Sequence, residues 1–268
     1  MNYNKPYLQG IELKKRYGQH FLKNRLYVDC MIDAVKLSDT ISVMEIGCGE
    51  GILTGAILET PCKKLHVFEI DEQWAAHVQE KYGSDDRLFI TLNNVLDERF
   101  DELHSQAPWV LLANLPYQIT FPILYLLQKN REMFLEGVVM VQEEVAQKIV
   151  KTSGRGHGYS SLYFQHYFDW KLLDKIAPEA FYPAPQVFSR LLYFKPRKEV
   201  KEIPNEVEFW KFIKLCFSQP RRTLRNNLSQ SHYDIKKLDD ATLKRRGEEL
   251  SMDEMLHVWQ LLMPAIYS

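Results

Sequence analysis

The chain has 268 residues, of which 46% are hydrophobic and 26% charged, with a formal net charge of -1. That length and composition suffice to bury a full core, in one large domain or one large plus one small, and exclude a disordered or fibrous chain. Four scattered cysteines (Cys30, Cys48, Cys62, Cys216) and the lack of any C-x-x-C pair argue against a disulfide framework or a cysteine zinc site, and the near-neutral balance gives no general attraction to a polyanion.

The opening MNYNKPYLQG lacks the apolar centre of a secretory signal. No stretch approaches the roughly 18 apolar residues of a membrane span, so a soluble, cytoplasmic protein with no membrane partner is expected. Lys14, Lys15 and Arg16 follow, continued by Lys23 and Arg25. Residues 1–25 thus form a basic arm, which is either a solvated charged face or a set of phosphate contacts.

From Ile41 short apolar runs alternate with helix-like stretches. Strands are predicted at 41–46 (ISVMEI), 65–70 (LHVFEI), 88–92 (LFITL), 109–113 (WVLLA), 137–141 (GVVMV), 162–168 and 187–194, with helices such as 72–81 and 121–130 between them. The pattern is that of an α/β domain, a doubly wound, Rossmann-like sheet with helices on both faces, whose ligand sits outside the carboxyl ends of the strands.

Directly after the first predicted strand, VMEIGCGEGILT places Gly47, Gly49 and Gly51 where a tight turn must bring a ligand against the backbone. Glu69 closes the second strand 22 positions after Gly47, where a carboxylate can accept hydrogen bonds from ribose hydroxyls. Dinucleotide sites prefer G-x-G-x-x-G, which sets a pyrophosphate on a helix N-terminus. Here the spacing is G-x-G-x-G with Glu45 just upstream, which would repel an anion but not the cationic amino-acid end of S-adenosylmethionine (SAM). SAM is therefore favoured over NAD, and a glycine turn without ligand stays open. The third strand ends in Asn93-Asn94, at the height of the adenine of such a cofactor, although a surface turn is the plainer reading.

LLANLPYQIT (111–120) ends the fourth strand abruptly at Asn114, followed by Leu115, Pro116 and Tyr117. The exocyclic amine of adenine is a poor nucleophile because its lone pair is delocalised into the ring. Two acceptors aimed at its hydrogens, the Asn114 side-chain oxygen and a main-chain carbonyl near Leu115 or Pro116, would turn that lone pair toward a methyl sulfonium without a strong base. Pro116 fixes φ and removes a competing donor, and Tyr117 offers a face for stacking. The alternative is a proline-terminated strand with an Asx turn.

Further on, KPRKEVKEIP (195–204) reads as a linker, EVEFWKFIKLCF has helical spacing, and Ser251 with Glu254 forms a candidate capping box. The expected domains are 1–195, which binds the cofactor and carries the chemistry, and a helical RNA-binding tail at 196–268. The tail has a second basic series, Arg221, Arg222 and Arg225 through Lys244, Arg245 and Arg246.

Five segments in order, KKRYGQHFLKN, EIGCGEGILT, NLPY, GRGHGYSSLYFQHYF with FYPAPQVFSRLLYF, and CFSQPRRTLRNNL, resemble the small-subunit ribosomal RNA adenine N6-dimethyltransferases, the KsgA family, with the Erm methyltransferases as a more distant branch. The resemblance implies that His20 and Leu22 line the methionine side of SAM, Gly47 and Gly49 its loop, Glu69 the ribose and Asn94 the adenine. Asn114 would serve cofactor and target together, and Phe181 would close over a flipped adenine opposite Tyr117, its plainer reading being a core Phe. Stacking would offset part of the unstacking cost, about 1–3 kcal/mol per base. Many relatives carry Asp at the position of Asn94, so charge assistance to the adenine amine is lost here. The basic arm and Arg221, Arg222 and Arg225 are left as the main phosphate contacts, with much recognition by shape.

The function so implied is SAM-dependent dimethylation of adenosine N6 in small-subunit ribosomal RNA, by a monomer acting on an assembling small subunit. An Erm-like enzyme of large-subunit RNA is the nearest rival. A non-catalytic nucleic-acid-binding assembly or transcription factor on the same fold is a second, and an NAD oxidoreductase lacks a proton-relay candidate.

Overall fold

In the computed structural model, residues 7–263 are described; residues 1–6 of the expected basic arm lie outside them. The chain forms two compact units. One runs from the start of the described chain to Ala146 and resumes at Asp169–Pro196; the other joins Gln147–Phe168 to the described chain from Arg197 onward. The linear division at 195/196 is thereby corrected, because residues 147–168 belong with the tail. No change of composition marks that excursion.

The first unit is built on a seven-stranded sheet. In chain order its strands are β1 (Ser42–Ile46), β2 (Lys64–Glu69), β3 (Leu88–Leu92), β4 (Trp109–Asn114), β5 (Phe134–Gln142), β6 (Phe168–Ile176) and β7 (Ser189–Pro196), arranged β3-β2-β1-β4-β5-β7-β6. β1 pairs in parallel with β2 (Ser42↔Lys64, Ile46↔Phe68) and β4 (Ser42↔Trp109, Glu45↔Leu112), and β4 pairs in parallel with β5. Every residue of β1 is buried, as is every residue of β4 except the last, Asn114. Such continuous apolar runs are what a parallel strand covered on both faces requires. Strand order reverses between β1 and β4, and this is where a doubly wound sheet leaves a crevice at its carboxyl edge.

Helices α1 (Arg25–Asp33), α2 (Ile52–Leu58) and α3 (Glu72–Tyr82) follow the arm, β1 and β2. Asn24 caps α1 by accepting from the Leu26 N–H, and Asp71 caps α3 by accepting from the Gln73 N–H. A two-stranded antiparallel bridge joins Phe21–Leu22 of the arm to Phe181–Tyr182.

The expected strand at 162–168 is instead a helix, Tyr159–Tyr167, with the strand beginning at Phe168. Aromatic residues favour strands only where the pleat suits them. Here Tyr159, Tyr163 and Tyr167 recur every four residues along one helix face, the first pair stacked at 5.4 Å and the second edge-on at 5.2 Å between ring centroids, and Tyr163 packs on Trp210 at 4.8 Å. Trp210 lies in Glu206–Cys216, the helix expected from EVEFWKFIKLCF. Phe209, Phe212 and Trp259 complete a core in the second unit, and the Ser251–Glu254 capping box forms reciprocally at the start of Met252–Leu262.

Among the described residues no helix is long and apolar enough to cross a membrane, and no cluster of three or more metal-ligating side chains occurs.

Candidate active site

A cavity of about 370 Å³ opens at the carboxyl edge of the sheet, lined by the ends of β1, β2 and β4, the turn after β3 and the N-terminal arm. Gly47 leaves β1 at φ +78° with nothing within 4 Å of where a Cβ would stand, so its backbone faces open cavity. At Gly49 a Cβ would lie 2.8 Å from the Phe21 ring. Glycine is needed at the first for its left-handed backbone and at the second also for space.

Glu45 is fully buried on β1. The Thr54 hydroxyl donates to its Oε2 at 2.8 Å, while Oε1 has no partner among the described residues. Burial pushes its carboxyl up to about 8, with Glu69 adding to the rise and Thr54 opposing it. An unsatisfied buried oxygen on a cavity wall marks a place for a donor or a cation.

Glu69 closes β2. Its Oε1 accepts from the Ile70 and Asp71 amides, both at 2.9 Å, which fix the carboxyl. Oε2 makes only long contacts, to the Gly49 N–H at 3.3 Å and the Cys48 thiol at 3.5 Å. Burial raises this carboxyl too.

Asn94 lines the cavity, but its amide is engaged by its own turn: the oxygen caps the Leu96 N–H at 3.2 Å and the nitrogen donates to Asp97 at 2.9 Å. As folded it is a turn residue, and any contact with an adenine would share that oxygen.

Asn114 is held differently. Its amide nitrogen donates to the His20 carbonyl at 3.1 Å, which turns its oxygen away from the arm. Leu115 is buried and its N–H bonds the Met140 carbonyl at 3.1 Å, so the backbone here extends the parallel ladder by one rung. The Pro116 carbonyl accepts from the Ile119 N–H at 3.1 Å and the Thr120 hydroxyl at 3.4 Å. His20 and Tyr117 line the same cavity with their rings stacked, centroids 5.6 Å apart and planes at 27°. Leu22 lines it from a buried position.

Two residues with expected contact roles are engaged inside the unit in this structure. Phe181 does not face the cavity: it is 2% exposed, paired with Leu22, and packed in the core cluster with Val28, Leu53 and Ile176. Moving it out would forfeit about 1.5–3 kcal/mol of burial. We therefore expect Phe181→Leu to leave kcat and KM for the nucleic-acid substrate within about twofold of wild type, while thermal denaturation registers a loss of about 1–2 kcal/mol. A drop in kcat without loss of stability would restore a stacking role.

Lys14 is likewise committed inside the unit. Its ammonium lies 2.6 Å from Asp71, whose side chain is fully buried, and Gln19 binds the other Asp71 oxygen at 3.0 Å. That pair buckles the arm to the start of α3 instead of leaving Lys14 free for phosphate. Arg16 remains exposed, over the Tyr17 ring at 4.6 Å and bonded to its hydroxyl. The side chain of Lys15 lies outside what the structure describes.

In the second unit a cavity of about 710 Å³ is lined by Lys148, Arg155, Arg221 and Arg246, with Tyr159 and Phe217. Arg222 is exposed, and Arg225 pairs with Asp240 at 2.5 Å. Of these cations Lys148 has no motif to flag it in the sequence, whereas Arg155 stands in the quoted segment GRGHGYSSLYFQHYF and Arg246 closes the second basic series. Sequence reasoning also passes over Asp71, Pro183 and Ser189, although the last two stand in the quoted segment FYPAPQVFSRLLYF.

The family model for ribosomal RNA adenine dimethylase matches residues 10–262. Curated relatives called ribosomal RNA small subunit methyltransferase A include those of Prosthecochloris aestuarii, 33% identical with 95% of each chain covered, and Syntrophotalea carbinolica, 34% identical with 94% of this chain and 97% of the relative covered. Among solved structures, a dimethyladenosine transferase from Plasmodium falciparum has a TM-score of 0.73 at 22% identity, covering 88% of this chain and 95% of its own. The 23S rRNA methyltransferase ErmE has a TM-score of 0.72 at 19% identity, covering 90% and 99%. The two structures share the fold with this chain almost equally and so do not separate the two branches; the sequence matches do. With the family model spanning nearly the whole sequence and relatives above 30% identity over nearly the full length, this chain belongs to the ribosomal RNA adenine dimethylase family.

Proposed function

We propose that the chain binds SAM in the cavity at the carboxyl edge of the sheet and uses it to place two methyl groups on the N6 of adenosines in small-subunit ribosomal RNA, within an assembling subunit. The observation that carries this reading is the Asn114 carboxamide: with its nitrogen tied to the His20 carbonyl, its oxygen is the end free to receive an amine. The Pro116 carbonyl already accepts two hydrogen bonds, so the second acceptor falls to the Leu115 carbonyl. Two acceptors engaging the two amine hydrogens localise the nitrogen lone pair, and no strong base is needed.

The residues present fit SAM. The orphaned Glu45 oxygen suits an ammonium, the open backbone at Gly47 suits close approach of a ligand, and the long Oε2 contacts of Glu69 suit replacement by ribose hydroxyls. When bound, SAM supplies an electrophilic methyl on a cationic sulfur. Tyr117 holds the plane of the target base by stacking, and the buckled arm forms one wall of the cavity.

Methyl transfer from labelled SAM to unmodified small subunits, with product mapping, tests the whole reading. Dimethyladenosine appearing in large-subunit RNA instead would move the assignment to the Erm branch. Retained RNA binding without any transfer would favour a non-catalytic factor.

The cations around the second unit's cavity support an RNA face there, because Arg155 and Arg221 are exposed and have no carboxylate partner among the described residues. Replacing both by Ala is expected to weaken binding of small-subunit RNA and to reduce the slope of log K against log salt by about 0.7–0.9 per lost phosphate contact, with SAM affinity unchanged. Arg225→Ala should do less, since its charge is already paired with Asp240. An unchanged slope in the double variant, measured by filter binding across a salt series, would remove this face from the RNA contact.

A further inference from the structure

The segment between the Phe181–Tyr182 bridge and β7 touches both rings that flank Asn114. At its start the Pro183 carbonyl meets His20 Nδ1 at 2.7 Å. A carbonyl only accepts, so this nitrogen carries the proton and the ring is fixed in its plane. At its end the Ser189 hydroxyl meets the Tyr117 hydroxyl at 2.6 Å. Ser189 is fully buried as the first residue of β7, opposite Gln142 of β5. Its flanks are clamped as well: the Phe188 carbonyl accepts from the Glu143 N–H at 2.9 Å, and Arg190 grips the Glu143 carboxylate with two bonds of 2.6 and 2.9 Å. The Ser189 hydroxyl is therefore a rigid point, supplied by the sheet, at the far end of the Tyr117 ring.

Tyr117 itself stands on a single 3-10 turn, Tyr117–Ile119, whose Cβ alone would leave the ring two free torsions. One face of the ring is covered by His20, which leaves the other for a planar partner. We propose that Ser189 is a positioning residue for methyl transfer: its hydroxyl anchors the Tyr117 phenol and so sets the plane in which the target base is presented to Asn114. The inference rests on the reading that Tyr117 stacks on that base. It also gives the F-Y-P-A-P-Q-V-F-S segment a task other than offering Phe181 as a second stacking ring: its two ends steady His20 and Tyr117.

A ring free to swing by even 1 Å at its tip loses the alignment on which in-line attack depends, an effect that can reach about a hundredfold. Ser189→Ala is expected to lower kcat on small subunits by about 10- to 100-fold, with the Kd for SAM and the thermal midpoint close to wild type. Tyr117→Phe keeps the ring and removes the other end of the same hydrogen bond, so it should lose about as much. The double variant should then lose no more than either alone, because one interaction has been deleted twice. Turnover of Ser189→Ala within twofold of wild type, or losses that multiply in the double variant, would overturn the proposal. Should Ser189→Ala fail to fold, Tyr117→Phe decides by itself: an unchanged kcat sinks the anchoring role, and a reduced kcat at unchanged SAM affinity upholds it. Absence of transfer by the wild-type enzyme would instead sink the reading of function on which the inference rests, an outcome distinct from an active wild type with an indifferent Ser189.

Discussion

Asn114→Ala is expected to lower the single-turnover rate of methyl transfer by about 10²–10³-fold at saturating SAM and saturating small subunits, the cost of removing one preorganised polar group from a reacting centre. Its amide joins two tasks. The nitrogen holds the His20 carbonyl of the arm at 3.1 Å, and in the function proposed above the oxygen receives the substrate amine. The two separate experimentally. If the side chain served only to hold the arm, the alanine variant would bind SAM more weakly but recover its full rate once the cofactor is saturating. Asn114→Asp sharpens the comparison, because a carboxylate keeps an acceptor but cannot donate to the His20 carbonyl and is repelled by it. That variant should lose both rate and SAM affinity. An alanine variant whose rate at saturation matches wild type would remove Asn114 from the reacting centre.

Glu45 carries the second large effect. Burial holds its carboxyl at about 8 against an ordinary value of 4.5, so near neutral pH the protein without cofactor keeps it protonated. For an acid raised on folding, the folded state binds more protons than the unfolded one between those two values. The stability contributed is therefore fully present below pH 4.5 and is lost as pH rises toward 8. The thermal midpoint without SAM should fall across that window, and Glu45→Gln, which keeps the Thr54 hydrogen bond without the ionisation, should flatten the fall.

Cofactor affinity should run the other way. A bound ammonium favours the carboxylate, so SAM must displace the proton, and its affinity should rise by up to about tenfold per pH unit between pH 6 and 7.5, below the range where a free α-amino group (about 7.7–8.0) itself discharges. Glu45→Gln should abolish that rise. Titration calorimetry in buffers of different ionisation enthalpy would detect the released proton; a pH-independent affinity in wild type would mean that the cationic end of the cofactor lies elsewhere.

Much of this site can be read along the chain because the responsible chemistry is local. Three glycines directly after an apolar run force a tight turn, and Glu69 stands at the end of the next strand. An amide, a proline and a ring stop β4 at its exposed end. Each is a property of a few consecutive residues whose environment follows from lying at a strand terminus. Two helices of the tail, Glu206–Cys216 and Met252–Leu262, were equally legible, Ser251 and Glu254 capping the latter as their spacing predicts.

The misreadings have a common origin. Phe181 turns inward because the short bridge to Phe21–Leu22 puts its side chain on the core face, and nothing within FYPAP announces which face that is. Lys14 meets Asp71, 57 positions further on, and so is spent on holding the arm. The aromatic run at 159–167 has strand propensity and becomes a helix because Trp210, 43 positions beyond Tyr167, offers a surface to rings spaced four apart. Residues 147–168 join the second unit across a break that no composition shift marks.

What the sequence determines by itself, then, is the class of sheet, the glycine turn that lines the cavity and the identity of the groups at each strand end, since these depend on periodicity and on backbone sterics that act over a few residues. Only the tertiary structure decides which atom of Asn114 is tied to the arm, that Phe181 belongs to the core, and that Pro183 and Ser189 bond the His20 ring and the Tyr117 hydroxyl. Those outcomes depend on hydrogen bonds between residues 72 to 163 positions apart, whose geometry exists only once the strands carrying them are side by side.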